Sequence, residues 1–277
     1  MRMLDFNYFF DRIFIINLES MNDRRERISM ELTELGIRNY EFFNACRPEN
    51  VKDYPDSYVN NFSQNLVSKS QQYSRGALGC KLSHYEIIKK AIELNMQRIL
   101  ILEDDCQILK NGIKYYWPTI ASQLDKQLID WHMFYLSANM HTEPSMVGDY
   151  ISVVSEAYTT HSYALNLKDS KFVDNLLQSM LSSGLEIDVF YSREIQNNYN
   201  AYIAIPALSC QLDGYSSIRE VEKNYTVKIL KHGQAMNKSL LHRIIRSCLG
   251  FLKYIISERR YNIFREFLLK LNIKRKG

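Results

Sequence analysis

Residues 98–109, RILILEDDCQIL, place three carboxylates, Glu103, Asp104 and Asp105, directly behind the apolar run Ile99-Leu100-Ile101-Leu102. Adjacent like charges repel, and the crowding has a use where a cation sits among them. Hard carboxylate oxygens are the ligands that Mg2+ and Mn2+ select, and such ions are commonly completed by substrate phosphates and water. If the apolar run is a parallel strand, the acids fall at its carboxyl end, where open α/β sheets bind ligands. In extended backbone Glu103 and Asp105 would point to one side and Asp104 to the other. The same pattern also arises where a strand simply ends in solvated charge.

A second candidate group lies in NLESMNDRRERI, residues 17–28. Arg24, Arg25 and Arg27 open a helix there, and cations at a helix N-terminus oppose the macrodipole at a few tenths of a kcal/mol each. An anion such as a diphosphate would resolve that conflict, and a solvated helix face would tolerate it. A third group is Ser83 and His84 in GCKLSHYEIIKKAI. A single histidine on a helix is more often structural than catalytic, and no Asp or Cys spacing around it suggests a triad. GxxxxGK[ST], GxGxxG and GxSxG are all absent, so phosphate binding would have to rest on a metal and basic side chains.

The elements that must position these groups are legible in outline. RIFIINL (12–18) reads as a buried strand. Asn22 or Asp23 can cap a helix over roughly residues 23–35, with Ile28, Leu32 and Leu35 on one face and Gly36 at its end. YEFFNA (40–45) reads as a second strand, and the polar stretch 47–74 as a loop with short helical pieces. From Gly76, apolar residues at helical spacing lead into the strand 98–102. A helix is expected over 112–127, a strand over 131–138, a hairpin or bent strands over 151–166, a helix over 168–182, and a strand over 201–211 broken at Pro206. Strand-helix alternation of this kind points to an α/β domain with a mostly parallel sheet.

The chain has 277 residues, 46% hydrophobic and 24% charged, which suits one sizeable domain with an appendage. Its five cysteines are scattered, with no CxxC pair, so neither a zinc cluster nor a disulfide framework is expected. A reducing cytoplasm is the natural setting, and no secretory signal or membrane-spanning run is apparent. The net charge of +4 hides an asymmetry: residues 241–277 hold ten Lys/Arg and two Glu, so the remainder carries −4. That excludes a body-wide nucleic-acid binder and leaves a domain with a cationic end. In that tail Leu240, Ile244, Cys248, Phe251 and Ile255 follow helical spacing, as do Leu241, Ile245, Leu249, Leu252 and Ile256, with Arg243, Arg246 and Lys253 beside them. An apolar stripe flanked by cations can lie on an anionic inner leaflet, or pack on the body or a second copy.

Taken in order, INL…DRRERI, GALGCKLSHYEIIKKAI, ILEDDC, THSYALN and EIDVF resemble glycosyltransferase family 25, the lipooligosaccharide galactosyltransferases of Gram-negative bacteria, over roughly residues 12–215. The resemblance implies a GT-A-like nucleotide-sugar-binding fold over 1–238 and a basic helical tail over 239–277. It implies galactose transfer from UDP-galactose to a lipid-linked oligosaccharide core, with inversion, at the cytoplasmic face of the inner membrane. It also implies a DxD-like site at Glu103-Asp104-Asp105, in which Asp105 with Glu103 holds Mn2+ or Mg2+ under the diphosphate. Donor contacts are expected from Asn17, Leu18, Arg24, Arg25, Ser83, His84, Glu103, Asp104 and His161. Asp188 in GLEIDVFYSREI is the expected base for the acceptor hydroxyl, with Glu186 as its competitor and helix N-capping as the alternative role of Asp188. For His161 a donor-side role and an ordinary core hydrogen bond stand equally. A non-catalytic nucleotide-sugar-binding or scaffold protein on the same fold is the competing reading.

Overall fold

The computed structural model describes residues 5–46, 62, 71–126, 129–212, 214–216 and 221–223. The expected tail helices and the boundary at 238/239 lie outside these residues, as does most of the polar stretch 47–70.

A short helix α1 (Phe6–Phe9), capped by the Asp5 carboxylate on the Asn7 N–H, leads into β1 (Arg12–Asn17). Helix α2 (Asn22–Glu34) and β2 (Tyr40–Asn44) follow, then the long helix α3 (Gln71–Glu93), β3 (Arg98–Glu103) and β4 (Cys106–Ile108). Two short helices, α4 (Lys110–Tyr115) and α5 (Trp117–Asp125), precede β5 (Met133–Tyr135), β6 (Asn139–Met140), β7 (Ser145–Gly148), β8 (Ile151–Val153), β9 (Ala157–Tyr158) and β10 (Ser162–Asn166). Helix α6 (Ser170–Ser182), the short α7 (Ile187–Phe190) running on into a π-helical turn at Tyr191–Ile195, and strands β11 (Ala201–Ala204), β12 (Ser209–Gln211), β13 (Gly214–Ser216) and β14 (Val221–Lys223) complete it.

Eight strands form the central sheet in the order β2-β1-β3-β10-β5-β11-β8-β7. β10 and β8 are antiparallel to both neighbours, so the other six strands share one direction. The mostly parallel sheet therefore holds by strand direction, while the two reversed strands make most of its pairings antiparallel. The chain is mixed α/β.

The continuous apolar runs in β1 and β3 arise because the sheet is covered on both faces. Ile13 and Ile15 of β1, with Leu100 and Leu102 of β3, pack beneath α1, α2 and α5, where Phe6, Phe9 and Phe10 surround Trp117. Phe14, Ile16, Ile99 and Ile101 point the other way, into a core with α3, α6 and α7. Each residue fully removed from water contributes roughly 1.5–3 kcal/mol, so a charge in the middle of either strand has no face to go to.

Three details depart from the sequence reading. Neither Asn22 nor Asp23 caps α2: the cap position is Met21, with no side-chain bond, although Gly36 does follow the helix at a φ of +71°. The single helix expected over 112–127 is two, joined at Tyr116. Pro118 near the start of the second cannot supply the N–H a continuous helix needs. Helix α3 starts at Gln71, so Gly76 lies inside it rather than opening it. The expected break at Pro206 is present, with a cis Ile205-Pro206 bond. It separates β11 in the main sheet from β12, which pairs antiparallel with β4 and so comes beside the acidic triplet.

Candidate active site

Glu103 is the last residue of β3, and Asp104 and Asp105 form the turn into β4. The extended alternation expected of the triplet therefore stops at Glu103, and the turn sends each acid to its own neighbours. Asp104 is buried. It accepts from Asn17 Nδ2 at 2.8 Å and from Arg24 at 2.9 Å. Glu103 accepts from Thr160 Oγ1 at 2.6 Å and faces His84 Nε2 at 3.5 Å. Asp105 Oδ2 accepts from Gln211 Nε2 at 3.0 Å, while its Oδ1 is buried without a hydrogen-bond partner.

The electrostatics separate the two acids proposed as metal ligands. Burial works against the Glu103 charge, but His84, Thr160 and His161 outweigh it and hold the carboxyl below its usual range. Burial, followed by repulsion from Glu103, pushes Asp105 up to about 7, against the pull of Gln211 and Arg24. A buried carboxylate oxygen with no donor, beside an ionised neighbour, is a place where a cation would be stabilised. The hard-oxygen pair Glu103 and Asp105 fits Mn2+ or Mg2+ in donor chemistry.

Asp188 lies within electrostatic reach of Glu103. It sits in α7 and accepts from the N–H groups of Val189 (2.8 Å) and Thr159. Burial first, then Glu186 and Glu103, raise its carboxyl above the usual aspartate range. The helix cap is Glu186, not Asp188, and it makes no side-chain cap bond. Glu186 instead accepts from Tyr73 OH. Thr159 adopts a φ of +80°, which a β-branched residue rarely takes. That strain lies between Asp188, the His161 ring and Thr160, and such outliers gather at functional sites.

The remaining candidates divide. Asn17, at the end of β1, and Arg24 both serve Asp104, and Asn17 Nδ2 also reaches the Met21 carbonyl. Leu18 presents only its main-chain carbonyl, to the Met21 N–H. Arg25 does not join the cluster; its guanidinium lies 4.0 Å over the Phe42 ring. Ser83 is buried and accepts from the Cys46 N–H while donating to the Gly79 carbonyl, a structural bridge. His161 Nε2 meets Ser137 Oγ at 2.7 Å, and burial holds its ring down at about 4, so it is a neutral core residue. His84 is fully buried and bonded to Tyr163.

Sequence reasoning missed Gln211, Thr159 and Thr160, which complete the carboxylate surroundings, because nothing local marks a glutamine 106 residues away as the partner of Asp105. It also missed what Arg27 does. That side chain donates to the carbonyls of Asp104 and Cys106 and pairs with Glu31, clamping the turn itself.

The family described as glycosyltransferase family 25 (LPS biosynthesis protein) matches residues 10–191. Procollagen galactosyltransferase 1-A of Xenopus laevis is 28% identical over 215 residues, covering 70% of this chain and 33% of the relative. Procollagen galactosyltransferase 2 of Homo sapiens is 27% identical over 212 residues, covering 70% and 32%. The human inactive glycosyltransferase 25 family member 3 is 25% identical, covering 70% and 34%. The chain thus spans about a third of the length of these relatives. Among solved structures, a glycosyltransferase involved in glycosylation of the major capsid of PBCV-1 aligns over 80% of this chain and 98% of its own, at 10% identity and a TM-score of 0.37. A similarity that low carries no argument about the site.

Proposed function

The chain belongs to glycosyltransferase family 25, and from that premise we propose that it moves galactose from UDP-galactose to a sugar hydroxyl with inversion at the anomeric carbon, on a GT-A-like fold. The observation that carries the reading is that Glu103 lies close enough to repel both Asp105 and Asp188, with Asp105 Oδ1 buried and unpartnered. Galactose as the sugar is supported by the names of the galactosyltransferase relatives.

Asp105 with Glu103 would hold Mn2+ or Mg2+. When bound, the ion supplies Lewis-acid neutralisation of the charge that develops on UDP as it leaves. Asp104 plays a different part: pinned by Asn17 and Arg24, it fixes the turn so that its two neighbours face the donor. Arg24 is therefore a positioning residue. Asp188, with its carboxyl raised above the usual aspartate range, is the base that takes the acceptor hydroxyl proton as the new bond forms. Neutral His161 is tied to Ser137 and stands as a structural neighbour of Glu103.

The acceptor we propose is a lipid-linked oligosaccharide core, supported by the family description as an LPS biosynthesis protein. The cationic tail would hold the enzyme at the cytoplasmic face of the inner membrane, each basic residue contributing about 1 kcal/mol near an anionic surface. Among the described residues no helix is long and apolar enough to cross a membrane. A second reading has a specific basis: one relative is an inactive family member, so the same site could bind a nucleotide sugar without transferring it. UDP release from a panel of UDP-sugars, with and without Mn2+, separates the two. Metal-dependent release that Asp105→Ala nearly abolishes supports the enzyme. Wild-type turnover in that variant rejects the metal role, and tight UDP binding with no release favours the non-catalytic protein.

A further inference from the structure

Cys80 and His84 stand one turn apart on α3, so they share a helix face. There the Cys80 Sγ, a ring nitrogen of His84 and a carboxylate oxygen of Glu103 all lie within 4.8 Å of one another. Tetrahedral zinc with bonds of about 2.0–2.3 Å needs ligand atoms roughly 3.3–3.8 Å apart, so a contraction of about 1 Å would gather the three.

The histidine points to a ligand independently of that spacing. His84 is fully buried, and its Nδ1 is bonded to Tyr163 OH at 2.7 Å. Without an ion the Nε2 edge faces Glu103 at 3.5 Å and has no hydrogen-bond partner, and an ion there would take the Nε2 lone pair with the ring proton on Nδ1. An unsatisfied buried polar atom costs about 1–3 kcal/mol. Ligating histidines use their second nitrogen in this way, on an outer partner that fixes ring and tautomer. Tyr163 OH is itself held at 2.9 Å by Tyr191 OH.

We propose that Cys80, His84 and Glu103 form a site for a borderline-soft divalent ion of the zinc class, with a fourth position open to water. A sulfur, a nitrogen and an oxygen make a softer set than the oxygen-only Glu103 and Asp105 pair, so the two sites select different ions. The Glu103 carboxylate has two oxygens and can face both. A zinc-class ion there ties α3 to the end of β3 and fixes the orientation of Glu103. This does not rest on the sugar-transfer reading.

The test is titration of the reduced, metal-stripped full-length protein with Co2+. The expected result is a near-ultraviolet thiolate-to-cobalt band that saturates at one equivalent and is displaced by Zn2+. Cys80→Ser should abolish the band and weaken Zn2+ binding by at least about tenfold, since even outer-shell changes cost that much. Asp105→Ala should keep the band, so failure here is distinguishable from failure of the transferase mechanism. Absence of the band in the unsubstituted chain, or its persistence in Cys80→Ser, overturns the proposal. If circular dichroism shows Cys80→Ser unfolded, alkylation of the unsubstituted chain decides. Protection of Cys80 by Zn2+ in peptide mass maps supports the site, and unchanged labelling overturns it.

Discussion

Replacing Asp105 by asparagine should stabilise the metal-free protein at pH 8 while removing its response to Mn2+ and UDP. Burial and Glu103 push the Asp105 carboxyl up to about 7, from an ordinary 3.8. Below pH 4 the group is protonated in both the folded and unfolded chain and has no effect. Between about pH 4 and 7 the unfolded chain releases the proton first, so stability falls as pH rises, and the loss is complete above the folded value. A difference of about 3 in pKa, at about 1.4 kcal/mol each, puts that loss near 4 kcal/mol. Asparagine still accepts from Gln211 and removes the repulsion with Glu103, but one amide group takes the place of the unpartnered Oδ1, at about 1–2 kcal/mol. The net gain is then about 2–3 kcal/mol at pH 8, or roughly 5–10 °C in Tm for a chain of this size. Thermal unfolding in EDTA at pH 4.5 and pH 8 measures it, with Mn2+ and UDP added in a second series. The reasoning fails if Asp105→Asn is no more stable than the parent at pH 8, or gains equally at both pH values. It fails as well if Mn2+ with UDP stabilises the variant as strongly as the parent.

Asp188→Asn should bind UDP as the parent does but lose about 10²–10⁴-fold in transfer rate, measured as kcat beside a calorimetric Kd; lost binding would leave the base assignment without support. Arg24→Ala should cost about 1–3 kcal/mol in urea unfolding, because it leaves the buried Asp104 carboxylate without its cation, and Asp104→Asn combined with it should recover part of that cost; strict additivity would show that the pair does not act as a unit. Deleting residues 241–277 should reduce sedimentation with anionic liposomes and leave UDP binding intact; unchanged sedimentation removes the tail from the membrane argument.

Much of the fold was legible because β1 and β3 are buried on both faces. A strand covered on two sides must be apolar at every position, and RIFIIN and RILIL carry that signature without any partner being known. The same residues mark the candidate site, since an apolar run ending in three acids shows where a strand leaves the core. Helix ends were less legible. Met21 holds the α2 cap position although two good capping residues follow it, because the chain leaving β1 sets where the first turn begins. The division between α4 and α5 falls at Tyr116, where Pro118 opens the second helix and periodicity alone shows no break.

The sequence by itself determined the α/β class and the carboxylates available for chemistry, because these depend on residue type and short-range periodicity, and the order of its motifs carried the family resemblance. Which carboxylate does what was decided only by tertiary structure. Asp104 became a pinned, neutralised residue because β1 and α2 bring Asn17 and Arg24 to it. Asp105 kept an unsatisfied oxygen because β12 returns beside β4 with Gln211, one donor for two oxygens. Arg25 left the site for Phe42 although its sequence neighbour stayed. Local sequence says what a side chain can offer, but a carboxylate's charge and free valence are set by what the fold places within a few ångströms of it, from any distance along the chain.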